Sequence, residues 1–211
     1  MIFQERDAEI LRWINGFGCA SAEQISGFMK VSGAATYLRI KKLVEGGYLV
    51  RDRVLHGQAR IHMVTKKGIT ASDDALPPVT DVHMGTFRHD FMLVDLALML
   101  EAQTGGIFTP DRRIRHNEGL SGGGLSGHIA DGYLHIGEDK PIAIELELSL
   151  KSRARIRSIV DEYGGNLAVK EVWYYTDRPD VARAIQQAAD GFSFIKVRKL
   201  TKDFRQERKA A

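Results

Sequence analysis

The order of apolar and polar positions along the 211-residue chain predicts a helical front, a polar joint, and a longer back part where strands alternate with helices. In residues 5–16, ERDAEILRWING, Ile10, Trp13 and Ile14 share one helical face, and Phe17 continues it. The segment ASAEQISGFMK opens on Ser21 with Gln24 three residues on, a capping-box pattern, and points Ile25, Phe28 and Met29 inward. After a turn at Val31-Ser32-Gly33, a third helix is predicted through AATYLRIKKLVEGG, stopped by Gly46-Gly47. YLVRDRVL and ARIHMVT then read as a hairpin joined at His56-Gly57-Gln58. Residues 71–84, ASDDALPPVTDVHM, show no periodicity and carry a Pro-Pro pair, so they read as an extended linker.

Further on, FRHDFMLVDLALMLEA (87–102) predicts a helix covered on two sides, one through Phe87, Phe91, Val94 and Leu98, the other through Leu93, Leu96 and Leu100. GIFTPDRRIRH reads as a strand and SGGGLSG as a flexible loop. IADGYLHI turns back through Gly137-Glu138-Asp139-Lys140 into a second strand, expected to run from Pro141 to Lys151. That strand alternates cleanly. Ile142, Ile144, Leu146, Leu148 and Leu150 lie on one face; Ala143, Glu145, Glu147, Ser149 and Lys151 lie on the other. A helix with an Ile156, Ile159, Val160, Tyr163 stripe follows, then a buried strand EVWYYT, a helix DVARAIQQAA, a strand FSFIKV and a polar tail. The alternation predicts a mixed sheet covered by helices.

Composition narrows the class. The chain is 44% hydrophobic and 27% charged, as in an ordinary globular protein. No apolar run approaches the roughly 18 residues of a membrane span. The start, MIFQERDAEI, lacks a signal-peptide pattern, so no membrane role and a cytoplasmic location are expected. A single cysteine, Cys19, excludes an internal disulfide and a cysteine-based zinc site. Residues 1–80 hold 11 Lys/Arg against 8 Asp/Glu, whereas the rest hold 19 of each. The +3 excess therefore sits in the front, which points to a polyanionic partner there.

Three helices and a hairpin with a tight glycine turn make a winged helix-turn-helix. Residues 5–72 resemble bacterial winged-helix DNA-binding domains, with LVEGGYLVRDR and TKKGI at the usual helix-to-wing junction. The resemblance implies that the third helix enters the major groove, with Thr36, Arg39, Lys41 and Lys42 as candidates, and that Arg51, Arg53, His56 and Arg60 meet phosphates from the wing. Tyr37, with Ile40, Leu43 and Val44, is expected in the core. Winged helices also serve as protein-contact modules, and that alternative stays open here.

In the back part, Asp131 stands early in one strand of a hairpin whose other strand carries Glu145 and Glu147. The antiparallel partner can bring the three together, with Lys151 near. Unpaired carboxylates at that proximity repel one another or take up protons. A divalent cation with oxygen ligands resolves the conflict, and Mg²⁺ typically uses one or two carboxylates with phosphate and water. The bland reading is a solvent-facing sheet surface. Arg153, Arg155 and Arg157 flank the following helix, placed to hold a DNA backbone or simply to solvate a face. Tyr163, Tyr174 and Tyr175 lie on apolar stripes, where structural roles are expected rather than nucleophilic ones; of the histidines, His89 is the better auxiliary candidate.

An aspartate, a hairpin, then Glu-x-Glu on an aliphatic strand, then a helix resembles the core of the PD-(D/E)xK restriction-endonuclease-like fold. More narrowly, FRHDFMLVDLALMLE, HIADGYLHI, IAIELELSLKSRARI and VWYYTDRPDVARAI are similar to the replication-relaxation family of plasmids and integrative elements, with MobC-type relaxases as relatives. That family joins an N-terminal winged helix to such a core. The expected fold is therefore α+β and α/β, with a winged helix-turn-helix over 1–72, a linker over 73–84 and a nuclease-like mixed sheet flanked by helices over 85–211. By resemblance, Asp131, Glu145 and Glu147 would hold Mg²⁺ or Mn²⁺. Glu147 stands where the motif usually has lysine, and Lys151 could supply that charge. Glu101 matches a position where the fold often adds an acid, or is a plain helix-end charge. The implied function is nicking or relaxing DNA at an origin of replication or transfer, with DNA, other replication or conjugation proteins and a second copy as partners. The alternative is a sequence-specific DNA-binding protein whose nuclease-like part has lost catalysis.

Overall fold

The computed structural model describes residues 2–52, 60–119 and 127–200. The chain is mixed α and β, and it divides into two compact units, Met1–Leu98 and Met99 onward. Among the described residues two sheets form, one in each unit.

The first unit begins with α1 (Glu5–Phe17), β1 (Ala20–Ser21), α2 (Ala22–Met29) and α3 (Gly33–Glu45). The predicted capping box closes α2: the Ser21 hydroxyl accepts from the Gln24 amide at 3.2 Å, and the Gln24 side chain accepts from the Ser21 amide at 2.9 Å. β2 (Leu49–Asp52) and β3 (Ile61–Val64) follow, then α4 (Lys66–Ser72). The sheet order is β1-β3-β2, all antiparallel. Ile10, Leu11, Ile14, Ile25, Ile40 and Leu43 build one core with Leu49 and Val64. The link between β2 and β3, with Arg53 and His56, lies outside the described residues.

Residues 73–84 are not a free linker. The Asn15 amide donates to Asp74 at 3.0 Å and to the Leu76 carbonyl at 2.7 Å, and Leu76 is buried. Val79 and Val82 pack on a second cluster formed by Cys19, Ile61, Met63 and Phe87. The apolar residues between the prolines and acids find a surface to cover, which the absence of periodicity hid. α5 (Phe87–Thr104) spans the division between the units.

The second unit runs β4 (Ile107–Pro110), α6 (Asp111–Asn117), β5 (Gly132–His135), β6 (Ile142–Leu146), α7 (Arg153–Gly164), β7 (Glu171–Thr176), α8 (Pro179–Ala188) and β8 (Ile195–Lys199). Its sheet is ordered β4-β5-β6-β7-β8, antiparallel up to β6 and parallel from β6 to β8. Two sequence expectations change. The strand expected over 106–116 turns helical at Asp111, directly after Pro110, which has no amide to extend the ladder. The strand expected over 141–151 ends at Leu146; Glu147 adds one last bond to the Tyr175 carbonyl at 2.8 Å, and Ser152 caps α7. Leu150 is consequently 52% exposed rather than in the aliphatic face.

Every residue of β6 is buried. Its Ala143 face lies under α7 and α8, in a cluster with Ile156, Ile159, Val160, Tyr163, Val172, Tyr174, Val181 and Ile185. The face that carries Glu145 is therefore a covered face, and the solvent-facing sheet reading does not hold.

Candidate functional site

Register brings the acids of the second unit together. Gly132 pairs with Ile144, so Asp131, one step before β5, stands opposite Glu145. Directly opposed residues on antiparallel strands share a face. The Asp131 carboxylate then does something a backbone carbonyl would otherwise do: it accepts from the Leu146 amide at 2.7 Å, adding a rung where the β5 ladder has stopped. Gly132 makes this possible. A Cβ there would lie 2.2 Å from the Phe108 ring, so only glycine lets the chain pass before it reaches Asp131.

Glu145 is only 1% exposed. Its Oε1 lies 2.5 Å from His128 Nε2 and also accepts from the Tyr163 hydroxyl. Burial is the main reason its pKa is raised; the Asp131 charge adds to the rise, while His128 and Tyr163 oppose it. Burial alone would lower the His128 pKa, but the hydrogen bond and charge of Glu145 prevail and raise it. The pair thus keeps a proton that the same groups would lose more readily in water. Burial and the Glu145 charge likewise raise the pKa of Tyr163, and the protonated phenol donates a hydrogen bond to the carboxylate. Tyr174 is raised by burial and then by the charges of Glu145, Glu147 and Asp131. Burial pushes Tyr175 up to about 12.

Glu147 is buried and pairs with Lys151, whose side chain folds back from the start of α7. Lys151 also bears on His128 electrostatically, so the lysine belongs to the same neighbourhood. The site sits at the carboxyl ends of β6 and β7, where the sheet changes from antiparallel to parallel pairing. Open sheets with parallel strands bind ligands outside those ends.

Glu147 is given to Lys151, and among the described residues no group of three or more His, Cys, Asp or Glu side chains is arranged to hold a metal. What remains is the pair Asp131 and Glu145, hard oxygen donors that suit Mg²⁺ or Mn²⁺ when phosphate and water complete the shell. The pair would suit a two-carboxylate site if His128 and Tyr163 released the Glu145 carboxylate they now hold.

The flanking candidates separate. Arg153 and Arg155 are exposed at the start of α7. Arg157 pairs with Asp161 at 3.0 Å and donates to the Ala188 carbonyl at 3.2 Å, so it braces α7 and α8. Glu101 accepts from the Phe108 amide at 2.8 Å and ties α5 to β4, a structural role. His89 pairs with its neighbour Asp90 at 3.1 Å, within the first unit. His128 was not named as a site residue, its signal being its place three residues before Asp131 at the end of a glycine-rich stretch, and Tyr163, expected to be structural on the apolar stripe, also meets Glu145.

In the first unit, α3 corrects the list. Thr36 is 1% exposed and its hydroxyl donates to the Ser32 carbonyl at 3.1 Å. Arg39 grips Asp7, which is fully buried, through both of its carboxylate oxygens. Neither presents itself to a partner. Tyr37, expected in the core, is 57% exposed, and Leu38 beside it 60%. Lys41 and Lys42 are exposed on the same helix, as are Arg51 on β2 and Arg60 just before β3; Arg53 lies outside the described residues. Lys41 also lies 3.8 Å from Glu45. Burial, and after it the Arg51 charge, lowers the pKa of His62 against the bond to the Ala20 carbonyl. Among the described residues no helix is long and apolar enough to cross a membrane.

Compared with protein-family models, curated proteins and solved structures, the chain matches none.

Proposed function

We propose that this is a DNA-binding protein of a plasmid or mobile element, of the replication-relaxation type, with a winged helix-turn-helix in the first unit and a restriction-endonuclease-like core in the second. It nicks or relaxes DNA at an origin of replication or transfer. The observation that carries this reading is Asp131 standing opposite Glu145 at the carboxyl end of parallel strands, with Lys151 folded onto Glu147 beside them. Asp131 and Glu145 would hold Mg²⁺ or Mn²⁺, which when bound supplies a polarised phosphodiester and an activated water. Lys151 would carry the positive charge that the motif usually places at the Glu147 position. Arg153 and Arg155 would hold the backbone beside it. In the first unit, α3 would offer Leu38 and Lys42 to the duplex, and Arg51 and Arg60 would meet phosphates.

A second reading is favoured by one observation. Glu145 is closed off by His128 and Tyr163, and a carboxylate so occupied suits a core that binds without cutting. Nicking of supercoiled plasmid in Mg²⁺ separates the two. The first reading expects nicking by the wild-type protein, lost in Asp131→Asn, Glu145→Gln and Lys151→Ala, with binding retained in all. Tight binding with no nicking in the wild type supports the second reading and sinks the first.

A further inference from the structure

The first unit holds a cleft of about 520 Å³ between α3 and the β2–β3 edge of its sheet. That volume falls in the range of about 300–1,000 Å³ that pockets for small organic groups occupy. Ile40 and Val44 contribute apolar lining, and Tyr37, Lys41, Arg51 and Arg60 line it with them. Tyr37 is 57% exposed, although its helix has a well-formed buried side in Thr36, Ile40 and Leu43. An exposed aromatic that lines a recess together with cations is the arrangement that proteins use to stack an unpaired base while tracking its backbone. Glu23 and Glu45 add carboxylates to the lining, acceptors of the kind that the amine edge of an unpaired base can meet. A paired duplex cannot use the recess this way, because its base faces are already stacked.

From this juxtaposition we infer that the cleft is a subsite for single-stranded DNA, in which one unpaired base stacks on Tyr37 and the flanking phosphates lie against Lys41, Arg51 and Arg60. The inference rests on the reading of the first unit as DNA-binding and specifies its substrate. A strand opened at an origin exposes such bases, whereas resting duplex does not.

The test uses the full chain with a short single-stranded oligonucleotide carrying 2-aminopurine, and with the same sequence as duplex. Affinity is read by anisotropy and stacking by 2-aminopurine quenching. Quenching is expected on the single strand. Tyr37→Ala is expected to abolish it and to weaken single-strand binding relative to duplex binding by about tenfold or more, the loss of one base–aromatic stack. Tyr37→Phe is expected to retain both. Because Tyr37 lies outside the core, circular dichroism should show the Ala variant folded. If the Ala variant binds and quenches as the wild type does, or if the wild type binds duplex alone, the single-strand subsite is refuted while the DNA-binding reading stands. If neither form of DNA binds, both fall.

Discussion

Removing the guanidinium of Arg39 leaves the Asp7 carboxylate, which has no exposure at all, without that counter-ion, though still held by the Gln4 amide. Arg39→Ala is therefore expected to destabilise the protein by about 3–5 kcal/mol, the range for breaking a buried ion pair from one side. Urea unfolding reads this directly, and a shift well under 1 kcal/mol would return Arg39 to the list of surface contacts. His62 makes the complementary case. Its folded pKa is lowered, so the unfolded chain takes up a proton at a pH where the folded chain does not. Stability is full above the ordinary histidine range and is lost as the pH falls through it toward the folded value. The urea midpoint should drop as the pH falls through the ordinary histidine range, and His62→Gln should flatten that part of the curve. Cys19 is buried and pushed up to about 11, so thiol reagents at neutral pH should leave it unmodified until the protein is unfolded. Single residues were the least legible part of the sequence. Helical period placed Thr36, Tyr37 and Arg39 on one element, but Arg39's partner lies 32 residues away in another helix, where no local pattern reaches. Tyr37 fell at the edge of the apolar stripe, and period alone could not say on which side of that edge it stands.

At the scale of elements the sequence was a better guide. The capping box at Ser21, the stop at Gly46-Gly47 and the α7 stripe each had a local cause and appear where that cause put them. Strand ends were not legible, because strand length is decided by neighbours. β6 stops where β5 has already ended, and Glu147 and Lys151 leave the alternation that seemed to hold them. The burial of Glu145 was hidden for a related reason: a charged face reads as wet until the helices that cover it are known. Gly132 is the position where an element most depends on a missing atom. Gly132→Ala would drive a methyl into Phe108 and displace Asp131 from its rung. The expected cost is about 1–3 kcal/mol, the range for overpacking, read as a lower denaturation midpoint. The relief available is Phe108→Leu in the same chain, which should recover part of the loss.

For the molecule as a whole, charge asymmetry remains the feature the sequence showed most directly, since the basic excess lies in the first 80 residues. If the first unit contacts phosphates through Lys42, Arg51 and Arg60, log affinity for DNA should fall linearly with log salt, at about 0.9 per phosphate neutralised. Alanine at any one of these should lower the slope by about 1, and Arg39→Ala should not, once its instability is allowed for. An unchanged slope across all three would remove them from the interface.

The rung that Asp131 supplies to Leu146 has one more consequence. An amide protected by a neighbouring carbonyl exchanges its hydrogen only when the sheet opens, whereas this one is shielded by a side chain that can turn away while the strands stay paired. Deuterium uptake at Leu146 should accordingly outpace that at Ile144 two residues earlier, and if Mg²⁺ binds the acids as proposed it should quicken further, giving a single backbone position that reports on the carboxylate beside it.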